Sequence, residues 1–477
     1  MARVLISFLG TGKMKDGDNA KGEYESANYK INDEDYSAKF IAEALIKAYG
    51  IEKIILIGTV KSMWDEVYAT FAGDDLDADI WEKLQKIRQS VSHESELVLK
   101  GKDKEVGVEI EVPKEVIENV LPGNDSKIVF IKYGLNDTEF DENITKILGI
   151  EEYLNDNDEI YFDITHGFRS LPMVLMNCII YLQNVSNKKI TIEKITYGNL
   201  DVSGEMDYAP VINLSKLLNL SEWINGAYAF KEFGKGYKIA ELLEDNKSAG
   251  NIIKEFSDVM SADYLTGIRS QVQKLSGIKN AKYNPIAQAL IPQVIEEYVK
   301  RFPSNNISDS RFQYEIAKWH FEHMNYSSAV MDILEALLSK VKEICGTSDS
   351  EYAKIYLGKK NYGKNSFSDS QTNIDKLERY LNHLQGQYNT KEIVSFLDNK
   401  HKWLKGQRDK TQKQEHKDEI NKILPQIKTE GKNAFSLIYS INVFRNSIAH
   451  QTGLSLFNVD DTIRITKLCI ELMGKII

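Results

Sequence analysis

The chain has 477 residues, which at about 150 per domain suggests two to three domains. Hydrophobic residues make up 42% and charged residues 27%, the balance of a folded globular protein and not of a disordered or low-complexity chain. The net charge of −10 argues against an extended surface that coats duplex nucleic acid, and leaves room for a small basic pocket. Cys178, Cys345 and Cys469 are far apart and odd in number, so neither a metal-binding cysteine cluster nor a disulfide framework is expected, and a reducing cytoplasm fits best. No uninterrupted apolar run reaches the roughly 18 residues of a membrane span, so no membrane partner is expected. The opening MARVLISFLGTGK has a brief apolar run without a small-residue cleavage site after it. It reads as a first strand and not as a signal peptide.

In chain order, strands are predicted over 3–9, 53–58, 127–133, 159–164 and 190–197. Helical spacing of apolar residues covers 36–49 and 171–181. Strands alternating with helices predict βαβ units and a mainly parallel sheet of Rossmann-like form, with ligands at the carboxyl ends of the strands. The strands are near-continuous apolar runs, as expected of a sheet covered on both faces. From about residue 213 no strand pattern is found. Helical spacing recurs over 214–243, 286–299, 312–344, 374–384 and 434–449. The second half is therefore expected to be all-α. The polar stretches 345–372 and 398–418 are read as loops or a mobile insertion.

Three strand ends carry polar or turn chemistry. Ser7, Leu9, Gly10, Thr11 and Gly12 close the first strand, where glycines permit close backbone approach to an anion. A plain tight turn is the competing reading. Thr59, Lys61, Ser62 and Trp64 follow the second; Trp64 is either core or a face for a base to stack on. Thr165, His166, Gly167 and Arg169 follow the fourth, with Ser170 as N-cap and Pro172 in the first turn of a helix. That delivers hydroxyl, imidazole and guanidinium to a helix N-terminus, where phosphates bind well. His166 as a hydrogen-bonded structural histidine is the alternative. Neither a GxxxxGK[ST] nor a GxGxxG with a downstream acid is present, which argues against an NTPase or a dehydrogenase.

In the last part, an apolar helix runs into Arg445-Asn446-Ser447-Ile448-Ala449-His450. Asn446 and His450 share a helix face and Arg445 reaches the same spot. Imidazole exchanges protons near neutral pH, and arginine grips phosphate with paired hydrogen bonds. The set suits cleavage of RNA by its own 2′-hydroxyl, a route that needs no metal; a structural histidine at a helix C-terminus near a glycine stop is the competing reading. Arg88 and His93 make a second Arg…His spacing, read as accidental because it lies in a polar stretch. A single histidine per chain makes a composite site in a two-fold homodimer attractive, since acid–base cleavage gains from two groups. The lysine-rich stretch 400–417 around Trp403 reads as a solvated face before it reads as an RNA guide.

DITHGFRSLP after one strand, GTVKSMW after an earlier one, EWINGAYAFKEFGKGYKIAELL and the late RNSIAH together resemble the CARF–HEPN ribonucleases that accompany type III CRISPR systems. The resemblance implies a CARF sensor over 1–212, a helical connector over 213–325 and a HEPN ribonuclease domain over 326–477 with a polar insertion at 345–418. It implies that the strand-end loops bind cyclic oligoadenylate, with cyclic tetra-adenylate favoured, made by the type III effector complex. It implies a homodimer or higher oligomer that cleaves single-stranded RNA to 2′,3′-cyclic phosphate ends, with Arg445, Asn446 and His450 catalytic and no cofactor. A sensor with an inert HEPN half, or a CARF half that degrades its own activator, are the alternatives.

Overall fold

In a computed structural model the described residues are 2–15, 23–90, 102–103, 108–109, 112–167, 170–347, 391–429, 431–449 and 458–477. They divide into two compact units, Met1–Ser221 and Glu222–Ile477. The break falls inside a helix, Lys216–Phe233.

The first unit is built on an eight-stranded sheet. Its strands are β1 (Arg3–Leu9), β2 (Ala27–Ile31), β3 (Glu34–Ala38), β4 (Lys53–Gly58), β5 (Lys127–Phe130), β6 (Glu159–Asp163), β7 (Thr191–Gly198) and β8 (Ala209–Asn213). They lie in the order β3-β2-β8-β7-β6-β1-β4-β5. The central run from β7 to β5 is parallel throughout, and β7–β8 and β2–β3 are antiparallel. β1 and β4 alternate their side chains between two cores. Leu5, Leu9, Ile54 and Leu56 pack on one face, under α1 (Ile41–Tyr49) and α2 (Trp64–Ala72). Val4, Ile6, Phe8, Ile55 and Ile57 pack on the other, under α5 (Asp137–Leu148) and α6 (Leu171–Asn184); α3 (Ala78–Ser90) and α4 (Lys114–Val120) come between in chain order. A sheet dry on both faces needs just such unbroken apolar strands. Strand order runs outward from β1 in both directions, with β4 on one side and β6 on the other, and this creates the switch point at which α/β sheets open a crevice.

The five predicted strands are present within a few residues of their expected bounds. The helix expected over 36–49 begins only at Ile41, because Tyr36 to Ala38 belong to β3. The hairpin β2–β3 turns on Asn32 and Asp33, both with positive φ (51° and 67°), the backbone that a two-residue hairpin turn requires.

Among the described residues the second unit is all helix: α7 (Lys216–Phe233), which enters it from the first unit, then α8 (Tyr237–Leu242), α9 (Lys247–Ser261), α10 (Leu265–Ile278), α11 (Pro285–Arg301), α12 (Asp309–Glu322), α13 (Tyr326–Cys345), α14 (Lys391–Lys410), α15 (Gln414–Gln426), α16 (Lys432–Ala449) and α17 (Val459–Ile476). The single helix expected over 312–344 is two, because Met324 takes a φ of +61° and reverses the chain. The loop expected over 398–418 is a correction: it falls on α14 and α15. Leu397, Leu404, Ile420 and Ile423 are fully buried there, so a few apolar residues at helical spacing outweigh the polar bulk around them. The expected helix 374–384 and most of the expected loop 345–372 lie outside the described residues. Two cores form, one around Trp223, Phe230, Phe256 and Phe302, the other around Ile333, Leu337, Phe435 and Phe444. Among the described residues no helix is long and apolar enough to cross a membrane.

Candidate functional site

The carboxyl ends of β1, β4 and β6 open into a cavity of about 1040 Å³. Three loops build its floor. Leu9 to Gly12 come from β1, Thr59 and Ser62 from β4, and His166 with Gly167 from β6. The loops are fastened to one another by backbone-directed bonds. Ser62 Oγ donates to Leu9 O at 2.7 Å and accepts from Thr59 N at 3.1 Å, and Met63 N donates to Gly10 O at 3.0 Å. Gly12 has a φ of +66°, and a Cβ there would lie 2.6 Å from the Tyr24 ring, so the turn admits no larger residue without strain. At Gly10 a Cβ would stand 3.3 Å from His166 Cβ, which shows how closely the first and third loops approach.

Not every expected residue faces the cavity. Ser7 is fully buried beneath it, its Oγ donating to Asp163 Oδ2 at 2.7 Å. Thr165 Oγ1 donates to Asp163 Oδ1 at 2.5 Å and accepts from Gly198 N at 2.8 Å, so it pins the third loop to β7. Burial pushes the Asp163 carboxyl up to about 6, against the pull of the hydrogen bonds from Thr165 and Ser7. Trp64 is 2% exposed. Its Nε1 donates to Thr59 O at 2.8 Å and its ring meets Phe130 edge-on at 5.3 Å, so the indole is a core strut and presents no face for stacking. Ser170 holds the N-cap position of α6, but its side chain makes no cap bond. Arg169 lies outside the described residues.

His166 is different. It lines the cavity, and its Nε2 is buried without a hydrogen-bond partner. Burial lowers its pKa to about 4, so the imidazole is neutral at pH 7 and its free nitrogen is a ready partner for a ligand. Charge is supplied by Lys61, which makes no ion pair among the described residues, and by Lys13 and Lys39. Lys13 pairs with Glu25 at 2.8 Å and Lys39 with Glu66 at 2.7 Å. The remaining wall includes Asn28, Tyr29, Tyr133 and Tyr208. Sequence reasoning missed these four, because they come from β2, from the segment after β5 and from the approach to β8, none of which carries a motif. The Asn32-Asp33 turn is the signal that would have exposed β2.

Arg445 and Asn446 stand in the last turns of α16. Their side chains, and all of His450, lie outside the described residues.

Comparison with known proteins agrees with this geometry. Residues 4–201 match the family model of the CARF domain of the CRISPR system endoribonuclease Csx1. Residues 219–306 match the model of the second domain of the CRISPR-associated protein MJ1674. The first unit thus belongs to the CARF domains, a mostly parallel α/β sheet followed here by a helical region. The chain is similar to the CRISPR-associated protein MJ1674 of Methanocaldococcus jannaschii, 32% identical over 353 residues, 72% of this chain and 54% of that protein. It therefore spans about half the length of that curated relative. The solved structure of Enterococcus italicus Csm6 bound to cyclic hexa-2'-fluoro-hexa-dAMP aligns with 100% of this chain and 93% of its own, at 12% identity and a TM-score of 0.35, too distant a likeness to bear on ligand or chemistry.

Proposed function

We propose that the chain is a CRISPR-associated endoribonuclease whose CARF cavity senses a cyclic oligoadenylate and whose C-terminal helices, a HEPN domain, cut single-stranded RNA. The observation that carries the sensing half is the cavity itself, at the switch point of a CARF sheet, with an unpartnered neutral imidazole and free Lys61 among its lining groups. Its volume of about 1040 Å³ stands at the top of the roughly 300–1,000 Å³ range of small-molecule pockets, which suits a nucleotide larger than a mononucleotide. Adenine and ribose offer donors and acceptors to His166 and Thr11, and phosphates offer charge to Lys61. Cyclic tetra-adenylate, made by a type III CRISPR effector complex, is the favoured ring.

The catalytic half rests on the sequence Arg445-Asn446…His450, whose first two residues stand in the last turns of α16. His450 moves the proton of the 2′-hydroxyl, and Arg445 steadies the phosphorane as charge builds on it. Asn446 orients the pair. The attacking oxygen displaces the 5′-oxygen and leaves a 2′,3′-cyclic phosphate, so the reaction itself takes no metal. Two copies of the motif meet in a homodimer, and ligand favours the arrangement in which they are competent by binding it more tightly. Binding of cyclic tetra-adenylate, measured by titration calorimetry on the wild type and on His166→Ala, tests the sensing half. Weaker binding in the variant supports the assignment, and equal binding removes His166 from it.

A further inference from the structure

The second unit brings three metal-ligating side chains together. Asp263 occupies the turn between α9 and α10, with a φ of +52° that aspartate tolerates better than most residues. His320 lies on α12 and Asp332 on α13. His320 Nδ1 stands 2.7 Å from Asp332 Oδ2 and 3.8 Å from Asp263 Oδ1. One ligand atom from each residue falls within 4.8 Å of the other two. The side chains of His320 and Asp332 are each 2% exposed and that of Asp263 is 25% exposed.

Neither aspartate pairs with a lysine or arginine among the described residues; His320 is the partner of both. Asp263 Oδ1 is buried and receives no hydrogen bond. Glu335, one turn along α13, adds negative potential at Asp332. Two carboxylates this close can both be ionised in the interior only with a cation between them; otherwise they must share a proton. A divalent cation with a neutral imidazole brings the sum to zero.

We propose that Asp263, His320 and Asp332 form a structural site for a divalent transition metal of the zinc class. The mixed donor set selects the metal: an imidazole nitrogen with two carboxylates suits zinc, whereas magnesium and calcium prefer all-oxygen shells. The quarter-exposed side of Asp263 supplies an entry path and room for a water as a further ligand. The ion would tie the α9–α10 turn, within the segment that matches the MJ1674 second domain, to the α12–α13 pair that follows it. This site is independent of the ligand and RNA readings above.

The test is a zinc titration of the full chain after EDTA stripping and dialysis, by calorimetry and thermal unfolding. One equivalent of Zn²⁺ should bind per chain and raise Tm, and Mg²⁺ at the same concentration should not. Asp332→Asn should abolish the effect. Asp263→Asn, partly exposed and in a backbone conformation that asparagine adopts readily, should fold. It should weaken binding by at least the about 10- to 100-fold that outer-shell changes cost. His323→Gln, just past the end of α12 and outside the cluster, should bind like the wild type. Absence of stoichiometric zinc binding, or wild-type affinity in Asp263→Asn, overturns the proposal.

Discussion

The two units carry their chemistry in opposite ways. In the first, the groups around the cavity come from positions as far apart as Leu9 and Tyr208, brought together by strand order and held by bonds such as Ser62 to Leu9. In the second, the proposed catalytic residues fall within six positions, from Arg445 to His450. A convergent site depends on the whole sheet and fails by losing shape. A local site depends on one short stretch of sequence and fails by losing a functional group. The same class of substitution should therefore read out differently in the two halves.

The largest effect belongs to the local site. His450→Ala should lower RNA cleavage by about 10²- to 10⁴-fold, the usual loss when a general acid–base group is removed, with cyclic tetra-adenylate binding unchanged. Cleavage rates on a fluorescent RNA, set beside calorimetry, check both halves of that statement. Gly12→Ala acts through shape. It places a Cβ 2.6 Å from Tyr24 at a φ of +66°. The backbone alone should cost about 1–2 kcal/mol in urea denaturation, and ligand binding should fall with it. Trp64→Phe separates strut from stacking platform. It removes the bond to Thr59 O and should destabilise the first unit by about 1–3 kcal/mol. The ligand affinity of the folded variant should stay close to wild type; a large drop in affinity without a loss of stability would contradict the core placement.

The smallest effect is one of pH. Burial holds His166 at about 4, below its ordinary 6.5, so the unfolded chain takes up a proton where the folded one does not. The stability from this group is complete above pH 6.5 and is lost as pH falls towards 4. Asp163 runs the other way. Raised from 3.8 to about 6, it contributes at low pH, and that contribution is lost as pH rises through 6. In the wild type the two trends oppose each other. His166→Asn leaves only the Asp163 trend, so the variant should lose less stability than the wild type on acidification from about pH 7 to 5. Parallel curves would contradict a neutral buried imidazole.

The same contrast explains what the sequence could and could not reveal. β1 and β4 were legible to the residue, because strands dry on both faces are runs such as RVLISFL and KIILIG. β2 and β3 were not, because half-exposed ANYKI and EDYSA lack such runs and only the Asn32-Asp33 turn marks them. In the cavity, Leu9 to Gly12, Thr59, Ser62, His166 and Gly167 were legible as strand-end motifs. Ser7, Trp64 and Thr165 share those motifs but turn inward, a distinction made by burial and by acceptors such as Asp163 that spacing cannot show. Tyr29 and Tyr208 had no local signal, since only strand order brings them to the site. The Asp263–His320–Asp332 cluster was hidden for the same reason, its members lying on three separate elements of the second unit.

The central claim is that occupancy of the CARF cavity governs a ribonuclease in the same chain. The direct measurement follows cleavage of a fluorescent single-stranded RNA by the full chain in EDTA, with and without cyclic tetra-adenylate. Strong cleavage only with the ligand, lost in His450→Ala, is the result expected. Ligand binding without cleavage would contradict it and leave the first unit a sensor with no nuclease to command, and cleavage indifferent to the ligand would contradict it by leaving a nuclease that the first unit does not govern.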